Sequence, residues 1–140
     1  MPIADKDIDL KKIKDLDTEE FPNVTLPMHF TATGSKKALE VALEELCEKA
    51  EKAVDDGNHF IILSDRDIDK DKAAIPSLLA VSAVHHHLIK TKKRMQVGII
   101  VETGEAREIN HFALLLGYGA SVINPYLAYA AIDHIVKEGK

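Results

Sequence analysis

The residues able to do chemistry gather at three places, each just after a short apolar run: Ser64-Asp65-Arg66, Glu102-Thr103-Gly104-Glu105-Ala106-Arg107 and Asn124-Pro125-Tyr126. Carboxylates, arginines, an amide and a phenol make a set suited to holding a small anion. The same set can lock neighbouring loops through Arg–carboxylate pairs. Arg66, Glu102, Glu105, Arg107, Asn124 and Tyr126 are therefore the candidates for ligand binding or interdomain contact. The loop-locking role is the one favoured, with Arg66 or Arg107 paired to Glu102 or Glu105. No glycine-rich phosphate loop follows any of the runs. Gly104 stands alone, and Gly117-Tyr-Gly119 precedes a run, where it suits a helix cap and turn.

A histidine triplet, His85-His86-His87, suggests a metal and does not support one. Consecutive helical residues point about 100° apart, so three in a row do not converge on one ion. Metal-binding helices space their ligands by three or four. Glu108 and His111 have that spacing, but two residues are too few to define a site. The triplet is expected to straddle a packing boundary, with His85 extending an apolar face and reaching a strand-end carboxylate. If a general acid–base pair exists, a histidine of this helix, with His86 as the candidate, would act with Glu102.

These groups need elements to hold them. The chain opens with a charged stretch whose Ile3, Ile8, Leu10, Ile13 and Leu16 are irregularly spaced, so residues 1–24 read as an arm or short helix. Thr25–Phe30 reads as a short strand, and Pro27 argues for an edge position or an irregular one. Ser35 reads as the N-cap of a helix whose apolar face includes Leu39, Leu43, Leu46, Cys47, Ala50 and Val54, and which ends at Gly57. Phe60–Leu63, Val97–Val101 and Ser121–Ile123 are unbroken apolar runs, the pattern of strands buried on both faces. Asp65–Asp71 reads as a loop. Helices are expected over Ser77–Lys92, Glu105–Leu116 and from Pro125 to about Val136.

Alternation of strand and helix implies parallel strands joined by right-handed crossovers. The fold class is α/β, with four βα units in one domain over residues 25–140. Such units form either half of a TIM-type barrel or a three-layer parallel-sheet sandwich. Half a barrel would leave unpaired outer strands and an open apolar inner face, which favours a homodimer.

Composition closes off other classes. The 140 residues are 46% hydrophobic and 29% charged, as in a globular domain. At a net charge of −5, with lysines and acids interleaved, there is no basic stripe for nucleic acid. The basic run Lys90–Arg94 suits a helix end. The apolar runs are too short to cross a membrane, and the charged N-terminus has no signal-peptide core, so a cytoplasmic location is expected. Cys47 is the single cysteine and lies on an apolar helix face, which makes it a structural thiol.

At these same residues the chain resembles a known family. Ile61-Ile-Leu-Ser-Asp-Arg66, Ile75-Pro-Ser-Leu-Leu-Ala-Val-Ser-Ala-Val-His-His-His-Leu-Ile89, Val97-Gly-Ile-Ile-Val-Glu-Thr-Gly-Glu-Ala-Arg-Glu108, His111-Phe-Ala-Leu-Leu-Leu-Gly-Tyr-Gly-Ala120 and Asn124-Pro-Tyr-Leu-Ala128 are similar to the later part of the glutamate synthase central domain. The likeness is nearly continuous from Ser64 to Ala128, and looser over Leu16–Asp56.

The resemblance implies a part of an enzyme that makes two glutamates from glutamine and 2-oxoglutarate. An amidotransferase domain there releases ammonia, which passes through a tunnel to a synthase domain carrying FMN and an iron–sulfur cluster. The central domain is implied to be barrel-like and flavin-free, to sit between the two and to help wall the tunnel. Its implied partners are those two domains. The chain has no leading nucleophilic Cys, no three cysteines for a cluster and no flavin phosphate loop, so no catalytic residue carries over and no cofactor is expected here. The rival reading is a self-standing small-molecule enzyme or a dicarboxylate sensor built on the strand-end Glu, Arg and His residues.

Overall fold

The computed structural model describes Lys14, residues 21–32, Ser35 and residues 37–139. The arm or short helix expected over residues 1–24 therefore lies mostly outside the described residues. Four parallel strands form the central sheet: β1 (Asn23–Pro27), β3 (Phe60–Ser64), β5 (Gly98–Glu102) and β6 (Val122–Asn124), side by side in chain order. The α/β layering read from the sequence is the observed one. Between the strands run α1 (Ala38–Asp55), α2 (Ser77–Lys90) and α3 (Ile109–Gly117), and α4 (Tyr126–Lys137) follows β6. A short antiparallel pair, β2 (His29–Thr31) with β4 (Lys72–Ala74), lies beside the sheet.

Strand alternation divides the sheet into two faces. Ile61, Leu63, Ile99 and Val101 point to one and meet Leu46, Ala50 and Val54 of α1, Val81, Val84 and Leu88 of α2, and Leu115 of α3. Each such side chain fully buried contributes about 1.5–3 kcal/mol, so most of the stabilisation comes from this layer. Phe60, Ile62 and Ile100 point to the other face and form a separate cluster. On that face the expected opening is only partial: Ile62 and Ile100 are 0% and 1% exposed, whereas Val122 is 47% exposed.

Several boundaries differ from the sequence reading. The expected strand at Thr25–Phe30 is two strands broken at Met28, whose N–H donates to Ser64 O at 2.7 Å. Among the described residues β1 lies at the sheet edge, one of the two placements that Pro27 left open. Between the Asp65–Asp71 loop and the next helix lies β4, which the sequence reading left unassigned: Lys72–Ala74 pairs with β2, and Ile75 beside it is 1% exposed. Helix α1 opens at Ala38, flanked by Lys37; Ser35 instead accepts the Lys37 N–H at 3.3 Å in the turn before it. Helix α3 starts at Ile109 rather than Glu105, since the residues from Glu105 to Glu108 are used in capping.

Candidate functional site

The carboxyl ends of β3, β5 and β6 meet at one level of the sheet, where Ser64, Glu102 and Asn124 are neighbours in register. Burying polar groups there requires partners for all of them. Asp65, 4% exposed, gathers the donors beside them. Its carboxylate accepts Thr103 Oγ1 at 2.7 Å, the Gly104 N–H at 3.0 Å and the Tyr126 hydroxyl at 2.7 Å. One side chain thus ties the end of β3 to the loop after β5 and to the start of α4. Gly104 is required for the close approach: a Cβ there would stand 2.4 Å from Leu127 Cδ1. Burial, and then the bond to Asp65 and its charge, push the Tyr126 phenol far above its ordinary range.

Glu102, 1% exposed, has its charge met by Arg66 and Lys14. A carboxylate this deep needs such cations, because desolvation would otherwise remove its charge. Arg66 also stacks over the Tyr126 ring, its guanidinium carbon 4.1 Å from the ring centre. Glu105 turns the other way. Its Oε2 accepts the Ser77 N–H at 3.1 Å and the Ser77 hydroxyl at 2.9 Å, capping the otherwise unsatisfied start of α2.

The structure therefore brings together Arg66, Glu102, Asn124 and Tyr126 at the strand ends. Glu105 sits at a helix cap beside them. Arg107 and His86 are exposed, and His86 bonds back to Ser82 O of its own helix at 2.8 Å. The imagined His–Glu102 pair is not formed, because each histidine of the triplet faces its own way. His87 Nε2 meets Glu51 of α1 at 2.7 Å, while His85 Nδ1 accepts Arg94 Nε at 2.8 Å. His85 thus reaches an arginine rather than the strand-end carboxylate expected. Burial, then the charges of Arg94 and His86, hold His85 below its ordinary range. Glu108 and His111 serve a helix start: His111 Nδ1 accepts the N–H groups of Arg107 and Glu108 at 3.1 and 3.3 Å.

Asp65 was legible as a strand-end carboxylate but was not singled out. Its signal is its place immediately after the buried run of β3, where a polar side chain must find partners across the sheet.

Two cavities lie elsewhere. One, of about 150 Å³, is bounded by Leu78, Glu105, His111 and Leu114, and another of about 580 Å³ lies between β2 and α1. Neither is lined by Arg66, Glu102, Asn124 or Tyr126. Among the described residues no cluster of three or more His, Cys, Asp or Glu is set to hold a metal, and no helix is long and apolar enough to cross a membrane. Cys47 is buried in α1, and burial first, then Glu44 and Glu48, raise its thiol above the ordinary range. A lone buried thiol does not fit an iron–sulfur cluster.

The family model described as the glutamate synthase central domain matches residues 2–140. The chain belongs to the glutamate synthase central-domain family. It is 52% identical over 102 residues to the NADPH glutamate synthase large chain of Bacillus subtilis, covering 73% of this chain and 7% of that protein. The NADH glutamate synthase of Saccharomyces cerevisiae is 45% identical over 97 residues, covering 69% and 4%, respectively. The ferredoxin-dependent glutamate synthase of Pyropia yezoensis is 45% identical over 107 residues, covering 75% and 7%. This central domain thus spans less than a tenth of the length of these relatives. They are named for three different electron donors, so the likeness does not single out a donor.

Proposed function

We propose that the chain is a non-catalytic structural and coupling domain of glutamate synthase, the enzyme that forms two glutamates from glutamine and 2-oxoglutarate. In this reading it links the amidotransferase part to the FMN-bearing synthase part and helps to wall the ammonia path between them. FMN and the iron–sulfur cluster belong to those other parts. The domain works in the cytoplasm.

One observation carries the reading. The strand-end polar residues of this fold, where α/β enzymes keep their reactive groups, are turned on one another. Asp65 accepts from Thr103, Gly104 and Tyr126, and Glu102 is held by Arg66 and Lys14. Groups engaged in this way fix loops against each other rather than await a substrate. Support also comes from the family match over nearly the whole chain.

The test is a replacement in the Bacillus subtilis large chain. The stretch matched by this chain is exchanged for it, or deleted, and glutamine-dependent glutamate formation is assayed. The exchange is expected to retain activity, and the deletion to lose it while glutamine hydrolysis persists. Undiminished synthesis after the deletion would refute a coupling role.

A further inference from the structure

Helix α4 has twelve residues, and none of them is buried. Its first turn alone is anchored, with Tyr126 bonded to Asp65 and Leu127 against Gly104. Beyond that turn Ile132, Ile135 and Val136 are 41%, 48% and 68% exposed. Positions spaced by three and four fall on one helix face, so these three residues form a continuous apolar stripe. A helix of this length is marginal in water without tertiary packing. The stripe asks for a partner.

The fold indicates which one. Helices α1, α2 and α3 each follow one parallel strand and precede the next, and each packs on the face of the sheet between them. Helix α4 follows β6, and among the described residues β6 has a neighbour on one side only. Ser121 N–H donates to Ile99 O at 2.7 Å, toward β5. Thr103 N–H donates to Asn124 O at 3.0 Å, so Asn124 and, two residues earlier, Val122 direct their backbone groups to β5, and the N–H and C=O of Ile123 between them face outward along the open edge.

We propose that the β6 edge and the apolar stripe of α4 together dock one further parallel β-strand, supplied by another part of the large glutamate synthase polypeptide. The proposal rests on the coupling role above and names the surface through which it acts. The strand pairs with Ile123 through its backbone and carries apolar, β-branched residues at alternate positions facing α4. The relatives extend far beyond this segment, which is 4–7% of their length, so ample chain exists to provide it. A second copy fits less well. Joining β6 to the β1 edge of another copy would bring to α4 the Leu26 face of that strand, which is already packed in that copy's own core at 7% exposure.

Hydrogen exchange measured on the isolated 140-residue chain and on the Bacillus subtilis chimera that carries it tests the proposal. Amides of residues 128–137 are expected to exchange at least tenfold more slowly in the chimera, while those of α2 stay unchanged. Ile123→Pro removes the outward N–H and none of the bonds to β5, and in the chimera it is expected to restore fast exchange over 128–137. Equal rates in both samples overturn the proposal. So does protection of α4 that appears only with concentration-dependent dimerisation of the isolated chain, which assigns the surface to a second copy. A chimera with α4 protected but no glutamate formed counts against the coupling role and leaves the docking surface standing. An active chimera with α4 unprotected does the reverse.

Discussion

The two halves of the sheet are built to different degrees of completeness. On the β3–β5 side, Ile61, Leu63, Ile99 and Val101 are all at 0% exposure, enclosed by α1 and α2. On the β6 side, α3 buries only Leu115 and α4 buries nothing, while Val122, Leu116 and Ile135 stand about half exposed. Both halves follow the same β-then-α pattern, so local propensity does not explain the difference. Among the described residues α1, α2 and α3 each lie between two strands of the sheet, whereas α4 has a strand on one side. The first half is therefore a self-sufficient core. The second leaves the apolar side of α4 exposed, the surface proposed above to dock a further strand.

Substitutions can break or sharpen this contrast. The largest effect is expected at Asp65, which fastens the two halves. Asp65→Ala leaves the Thr103 hydroxyl, the Gly104 N–H and the Tyr126 hydroxyl short of an acceptor. It should cost about 2–4 kcal/mol in urea unfolding. A loss below about 1 kcal/mol would mean that the halves are held together by something else.

Next comes Gly119, in the turn before β6. Its φ is +123°, and a Cβ there would stand 2.4 Å from the His85 ring. Gly119→Ala should destabilise by about 1–3 kcal/mol through backbone strain and the clash. Unchanged stability would show that this turn relaxes freely.

His85 gives a smaller, pH-dependent effect. Its folded value lies below the ordinary one, because burial and Arg94 disfavour the cation. The unfolded chain therefore binds the proton more tightly, and stability is full above about pH 6.5 and falls as pH drops below it. Protonation would also deprive Arg94 Nε of its acceptor, while the Arg94 bonds to Val97 O and Gly119 O remain. In urea titrations between pH 7 and 5, His85→Asn is expected to flatten this slope. Glu51 sits below the usual carboxylate range because Lys93 and His87 bond to it, so it titrates lower and leaves this window clear.

The smallest effect belongs to α4. Ile135→Ala in the isolated chain should change stability by less than about 0.5 kcal/mol, as for other exposed positions. A loss comparable to that at a buried isoleucine would mean that α4 has a partner within the chain, and the contrast between the halves would fail.

Much of the fold was legible because hydrophobic runs and periodicity report burial directly. Phe60–Leu63 and Val97–Val101 read as buried strands and are β3 and β5. His85, His86 and His87 bond to three different partners, as residues pointing about 100° apart on a helix do. The pairing of Arg66 with Glu102 was among those expected of loop-locking residues. What the sequence hid were contacts set by tertiary pairing. β4 has only three residues, and its alanines carry no strand signal, so only its pairing with β2 reveals it. Glu105 looked like a helix start, yet it caps a different helix at Ser77, 28 positions earlier. Asp65 was hidden by its type, because an aspartate after a strand is common and its three donors come from the loop after β5 and the start of α4.

Isothermal titration of the isolated chain with 2-oxoglutarate, glutamine, glutamate and FMN tests the central claim most directly, that the strand-end groups hold the fold together rather than bind substrate. The account predicts no heat beyond dilution at millimolar ligand and no shift of the melting temperature. A saturable heat with any of the four, abolished by Arg66→Ala, would contradict it and make the strand ends a binding site.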